Sequence, residues 1–278
     1  MHLALKSAMS RIPYTNKVGE TLGSIADSAA AYSLRALNGG DPMVVRVRRS
    51  SDDAEKDFTA SDVSGGALVD WVGSGNDGFA TTWYDQSGND NHATQSTAGS
   101  QPKIVDASAL VSGGIEFNGT NNYFTTPVNS AASINGDMTA IAVATSSGQS
   151  QNGRIYSARS ASGTIFEFYQ AFDEKVRIYD GVNNRITETS PSISSQYLTS
   201  NFVSSSTISM FVDGTDRSPS INTISITTET GVIPHIGAIV GTANHFNGTI
   251  YEIIIYDSDQ SANRAAIETN INNYYDIY

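Results

Sequence analysis

The side chains able to do chemistry in this 278-residue sequence are few, and most have a structural use close at hand. His92, His235 and His245 lack the close spacing of paired metal ligands, so each reads as a loop or strand histidine. Asp180 and Asp213 each precede a glycine, a pairing that chiefly forms turns, with calcium binding as the rarer alternative. The run Asp85-Gln86-Ser87-Gly88-Asn89-Asp90-Asn91-His92 is dense in side chains that bond their own backbone. It reads as a structural loop in which Asp85 caps backbone amides. Arg46, Arg48 and Arg49 form one basic cluster, and the acidic stretch Asp52, Asp53, Glu55 and Asp57 directly after it can supply partners. Trp71 and Trp83 read as core residues. Candidate glycan contacts are Asp180 and the rings of Tyr123, Tyr169 and Tyr197, since an exposed aromatic face is a platform for a sugar ring. The chain has no cysteine, which excludes disulfides and thiolate metal sites. No metal and no cofactor is expected.

These residues must be positioned by strands. Val45 and Val47 alternate with Arg46 and Arg48, the period-two pattern of a half-exposed strand. Residues 67–72 form a short apolar element, helix or strand, closed by Gly73-Ser74-Gly75. From Gly78 onward short strands dominate, over 79–84, 104–105, 114–117, 123–124, 138–144, 154–156 and 164–172. Further strands are expected over 175–179, 186–189, 201–203, 207–212, 221–228, 235–240 and 248–256. Between them recur Asn118-Gly119, Asn135-Gly136, Asp180-Gly181, Asp213-Gly214 and Asn247-Gly248, pairs that supply tight turns. Strands about every ten residues with such turns are the pattern of a sandwich or barrel. Two helices frame them. Residues 25–37 are rich in alanine and leucine, with Ser24 or Asp27 as cap and Asn38-Gly39-Gly40 as stop. A C-terminal helix is capped by Ser258 or Ser261 and packs Ile267, Ile271 and Tyr274 on the sandwich. Residues 1–24 are weakly patterned and read either as a flexible terminus or as an arm that docks on a neighbouring subunit.

Composition narrows the partners. A formal net charge of −12 repels phosphate backbones and anionic bilayers, so nucleic-acid binding and membrane insertion are not expected. No apolar run approaches the roughly 20 residues that span a bilayer. The first residues lack a secretory leader pattern, so synthesis in the cytoplasm without a cleaved signal is expected.

Two sets of motifs carry a family resemblance. Phe117-Asn118-Gly119-Thr120-Asn121-Asn122-Tyr123-Phe124, Met210-Phe211-Val212-Asp213-Gly214-Thr215 and the stretch from Phe246 to Asp257 resemble laminin-G-like, concanavalin A-like modules. Ala31-Tyr32-Ser33-Leu34-Arg35-Ala36-Leu37, Val47-Arg48-Arg49-Ser50-Ser51-Asp52-Asp53 and Trp83-Tyr84-Asp85-Gln86-Ser87-Gly88 resemble the catalytic domain of α-L-arabinofuranosidase B. The same combination is similar to structural proteins of tailed bacteriophages. The resemblance implies an all-β fold, an antiparallel concanavalin A-like β-sandwich (jelly roll) over residues 25–278, with a short N-terminal and a C-terminal helix, behind an arm of residues 1–24.

It also implies where a retaining glycosidase of this type keeps two carboxyl groups about 5–5.5 Å apart. The supporting aspartate maps to Asp180, but the nucleophile position falls on Val182, and the acid/base falls in Gly241-Thr242-Ala243-Asn244, which has no carboxylate. The expectation is therefore a non-enzymatic virion subunit (head decoration, fibre or tail-associated). It would be assembled in the host cytoplasm as a homo-oligomer, bound to other capsid or tail proteins through its arm, with its sandwich free to touch host glycans. A carbohydrate-binding module is the alternative. An active arabinofuranosidase that recruits Asp180, Glu167 or Glu252 is the third reading.

Overall fold

In the computed structural model the residues described are 27–127, 136–149, 152–159, 164–170, 173, 175–187, 195–227, 232–239 and 243–278. They form antiparallel strands in two layers. The back layer runs β1 (Ser28–Ser33), β19 (Asn247–Tyr256), β10 (Met138–Ser146), β15 (Tyr197–Ser204), β16 (Thr207–Val212) and β17 (Thr215–Asp216). One end of the front layer is β14 (Asn184–Ile186), β13 (Val176–Tyr179), β12 (Thr164–Gln170), β11 (Gly153–Arg159) and β18 (Ile233–Ile236). It continues through β9 (Phe124–Thr125), β5 (Ala93–Thr94), β4 (Gly78–Trp83), β2 (Met43–Arg49) and β3 (Glu55–Thr59). The strands β6 (Lys103–Asp106) and β8 (Ile115–Asn118) join the layers, since β6 pairs with β4 and β8, and β8 pairs with β19; the short β7 (Ala109–Leu110) pairs with β6. The antiparallel sandwich expected from strand spacing is present.

The pleat explains how each strand serves two surfaces. On β10, Met138, Ala140, Ala142 and Ala144 enter the core between the layers, where Phe166, Phe168, Tyr156 and Trp83 also lie. Ile141 and Val143 point the other way, beneath helix α3 (Arg264–Tyr275), whose Ile267 and Ile271 complete a second apolar cluster. Each fully buried side chain of this size contributes about 1.5–3 kcal/mol. Two further helices, α1 (Ala60–Ser64) and α2 (Ala67–Val72), lie between β3 and β4, so residues 67–72 are helical. Among the described residues no helix is long and apolar enough to cross a membrane.

Two segments differ from the sequence reading. Within 25–37, residues Ser28–Ser33 form strand β1 rather than a helix, with every side chain of the strand buried. The preference of alanine for helix is worth under about 1 kcal/mol per residue, and tertiary pairing overrides it. Ala30 and Tyr32 face the inter-layer core while Ala31 packs under α3, so small residues suit a strand covered on both faces. Residues 1–24, the expected arm, lie outside the described residues.

Of the expected strand 221–228, the described part, 221–227, is also not a strand. It makes one bridge, Thr223 to Thr207, while Ile224 and Ile226 are buried in the core. Scattered bonds rather than a continuous ladder hold its other backbone groups: Arg185 Nε donates to the Thr223 carbonyl, the Ser225 amide donates to Asp180, and the Gly136 amide donates to the Ile226 carbonyl. At the C-terminal helix neither expected serine caps. A tight turn over Ser261–Asn263 leads into it, and Asp259 accepts from the Ser261 amide.

Candidate functional site

The outer face of the front layer carries one continuous row of polar residues. Directly paired positions on neighbouring antiparallel strands place their side chains on the same face. Asp57 pairs with Arg46, Arg46 with Thr82, Thr82 with Thr94, and Thr94 with Thr125. Thr125 pairs in turn with His235, His235 with Ser157, and Ser157 with Glu167. Glu167 pairs with Tyr179 and Tyr179 with Asn184. The alternate positions, Val45, Trp83, Phe124, Ile236, Phe168 and Ile178 among them, fill the core. The row is open at Thr94 and Asn184, whereas His235, Ser157 and Glu167 at its centre are buried.

Glu167 is the charged focus of that centre. A carboxylate 1% exposed needs a cation, because removal from water alone would cost several kcal/mol. Arg154 supplies it: Nε and Nη2 both donate to Glu167 Oε2, and the guanidinium lies 3.9 Å from the centre of the Tyr169 ring. Arg159 stands on the other side, its Nη1 3.5 Å from Glu167 Oε1, too long for a good hydrogen bond. Among the described residues, Oε1 itself and the hydroxyl of Ser157 have no hydrogen-bond partner. His235 bonds the Ile233 carbonyl through Nδ1, and its ring lies 5.9 Å from that of Tyr123, which also neighbours His245. Burial holds both histidines below the ordinary imidazole pKa, although each gains a backbone contact that acts the other way.

The residues singled out from the sequence separate into those near this face and those in scaffolding. Tyr123 is half-buried beside His235. Tyr169 and Tyr197 are buried and present no ring to a ligand, contrary to expectation. Tyr169 lies under the Arg154 guanidinium and donates to Asn184 Oδ1, while Tyr197 points into the core and donates to Gln170 Oε1. Both phenols sit where a strand alternation places them against neighbours rather than water. Asp180 staples a turn. Its Oδ1 accepts from the Val182 amide, and its Oδ2 accepts from Asn183 Nδ2 and the Ser225 amide. Burial pushes this carboxyl up, but the bonds from Asn183, Ser225 and Val182 outweigh it and hold the pKa below the usual value. Val182 is 85% exposed at the tip of that turn. Of the loop at 241–244, Gly241 and Thr242 lie outside the described residues. Glu252, the remaining recruitable carboxylate, is buried on the back layer against Arg35.

The scaffolding readings hold in detail. Asp85 accepts from the amides of Ala31, Ser87 and Asn91, and Gln86 Nε2 donates to the carbonyls of Ser33 and Arg35. Arg46 pairs with Glu55 and Asp57, Arg48 with Asp53, and Arg49 with Asp52. Trp83 is fully buried; Trp71 is only half-buried, covered by Arg49 and the edge of Phe58. Among the described residues no group of three His, Asp or Glu side chains converges as a metal would require.

With this geometry in hand, known proteins give a likeness of fold. No protein-family profile matches the chain. No curated protein matches it either. Solved structures do. A glutamate-to-glutamine mutant of a GH54 α-L-arabinofuranosidase, soaked with 4-nitrophenyl α-L-arabinofuranoside, superposes with a TM-score of 0.67 at 16% identity, covering 89% of this chain and 63% of that one. An arabinofuranosidase complexed with arabinofuranosyl-α-1,2-xylobiose gives 0.66 at 16% identity, over 89% and 62% of the two chains. The sialidase of Trypanosoma rangeli in complex with sialic acid gives 0.50 at 14% identity, over 69% and 31%. The shared property is the β-sandwich, and this chain spans just under two thirds of the length of the arabinofuranosidases.

Sequence reading did not assemble the centre of the row. A signal was present: Glu167 is a lone charge within the apolar run Ile165-Phe166-Glu167-Phe168-Tyr169, and Arg154 and Arg159 bracket the preceding strand. A charge inside an apolar strand requires a partner on its neighbour.

Proposed function

We propose that this chain is a non-catalytic β-sandwich that presents the polar face of its front layer to glycans, as a surface subunit of a tailed-phage virion. The observation that carries the non-catalytic part is the isolation of Glu167. Retaining and inverting glycosidases hold their two carboxyl groups about 5–9.5 Å apart. Among the described residues, the only other carboxylate in the polar row is Asp57, seven interstrand steps away, or roughly 34 Å at about 4.8 Å per step. Asp180, close by on β13's end, spends its oxygens on turn amides, and Val182 cannot act as a nucleophile. The glycan part is supported by the polar row itself and by the fold shared with sugar-acting enzymes. The virion part is supported by the motif wording and the acidic, cysteine-free composition.

The test is to assay the purified chain on 4-nitrophenyl α-L-arabinofuranoside and on a glycan array in parallel, and to look for it by mass spectrometry in purified particles. Expected are no hydrolysis above buffer, binding to at least one glycan, and presence in particles. Hydrolysis that disappears in Glu167→Gln or Asp180→Asn would overturn the non-catalytic reading. A protein absent from particles would overturn the virion reading.

A further inference from the structure

We infer that the centre of the polar row is a binding site for a neutral vicinal diol, built from Ser157, Glu167 and Arg159; this rests on the glycan-facing reading and gives that face a location. Ser157 and Glu167 are direct cross-strand partners, so their side chains rise from one face with Cβ atoms about 5 Å apart. Ser157 is 0% exposed, and among the described residues neither its hydroxyl nor Glu167 Oε1 has a hydrogen-bond partner. Two adjacent orphaned polar atoms each cost about 1–3 kcal/mol, a cost that persists where something else is served.

The chemistry around them selects the ligand. A cation is opposed by two guanidinium groups, Arg154 and Arg159, already facing Glu167. An anion is opposed by the carboxylate. A hydroxyl satisfies both sides, since it accepts from Arg159 Nη1 and donates to Glu167 Oε1. These two atoms now face each other at 3.5 Å without a good hydrogen bond. Arg159 is the partner able to yield, because its side chain is 37% exposed while Arg154 is locked below by two bonds to Oε2. A second, adjacent hydroxyl meets Ser157 Oγ. The next residue in the row, His235, has Nδ1 on the Ile233 carbonyl, which leaves its other ring nitrogen as an acceptor.

This site is distinct from the turn at Asp180 and Val182, which gives the test its control. Saturation-transfer NMR with the full chain uses three probes: methyl α-L-arabinofuranoside, methyl β-D-xylopyranoside and methyl β-D-galactopyranoside. Expected is transfer to at least one probe, weakened about tenfold in Ser157→Ala and in Arg159→Ala, and unchanged in Val182→Ser. Thermal melts of each variant confirm folding. A probe that binds wild type and both site variants equally overturns this location while leaving the glycan-facing reading intact. So does a Ser157→Ala that shifts only the melting temperature, since the orphaned atoms are then purely structural. Loss of binding in Val182→Ser alone moves the site to the turn and also overturns it. No transfer from any probe overturns the site, and the glycan array then decides the broader reading separately.

Discussion

Arg35 grips Glu252 through two parallel hydrogen bonds, Nε to Oε2 at 2.7 Å and Nη2 to Oε1 at 2.9 Å. Glu252 projects from β19 and Arg35 follows β1, so the pair ties the first described strand to the last. Helix α3 seals it: the Arg35 guanidinium lies 4.9 Å from the Tyr274 ring, and Asn270 and Tyr275 add bonds to the same groups. The pair is a clamp for the back layer rather than a site, since both side chains are almost wholly buried.

Breaking one half of that clamp leaves an uncompensated buried charge. Arg35→Met is expected to destabilise the fold by about 3–5 kcal/mol, and the double variant Arg35→Met with Glu252→Leu to recover most of that loss. Urea denaturation of the three proteins measures it. A double variant as unstable as the single one would mean that packing, not charge, dominates here.

Stability should also respond to pH through His235 and His245. Both folded-state pKa values lie below the ordinary 6.5, with burial as the main cause. The unfolded chain therefore binds protons first as pH falls. The linked stability is complete above about 6.5 and is lost progressively as pH drops through the folded values. Melting temperature is expected to fall between pH 7 and pH 5. The double variant His235→Gln with His245→Gln should flatten that part of the curve.

Some of this architecture is legible in the sequence, and physical range explains which part. The pairing of Arg46, Arg48 and Arg49 with Asp52, Asp53, Glu55 and Asp57 can be read because it closes within one hairpin. The Asp85 loop can be read because its side chains bond neighbouring backbone whatever the fold around them. By contrast, β1 reads as a helix, since its alanines favour one locally and its partner β19 lies over two hundred residues away. The polar row escapes for the same reason. Its members sit on different strands, and only the register of every pairing brings them into line. Tyr169 and Tyr197 look like surface rings because tyrosine tolerates either environment; here the pleat turns Tyr197 into the core, and the Arg154 guanidinium covers Tyr169 on the outer face.

Tyr197 offers a check on that placement. Its phenol crosses the core from the back layer to donate to Gln170 Oε1 on the front layer at 2.9 Å. Burial pushes its pKa far above the ordinary tyrosine value. Tyr197→Phe should cost about 1–3 kcal/mol, because the glutamine oxygen is left with one fewer donor in a dry environment. Glycan binding should be unaffected. Denaturation curves and the glycan array together test this, and lost binding at full stability would return Tyr197 to the list of ligand contacts.

Gly248 tests the sheet geometry most directly. It lies in β19 with φ of 147°, directly paired with Ser146 of β10. A Cβ added there would come within 3 Å of the backbone of Thr145 and Ser146, and backbone cannot swing aside as a side chain can. Strand β19 pairs with β10, β1 and β8, so a displacement at this point disturbs the join between the two layers. Gly248→Ala is therefore expected to cost more than the roughly 1 kcal/mol of an ordinary glycine replacement, on the order of 3 kcal/mol or greater. The control is Gly99→Ala, where the added carbon meets nothing within 4 Å. Equal melting temperatures for the two variants would show that β19 can move away from β10 to make room. A large loss confined to Gly248→Ala would show that the register of this strand is fixed by the close approach of its neighbour.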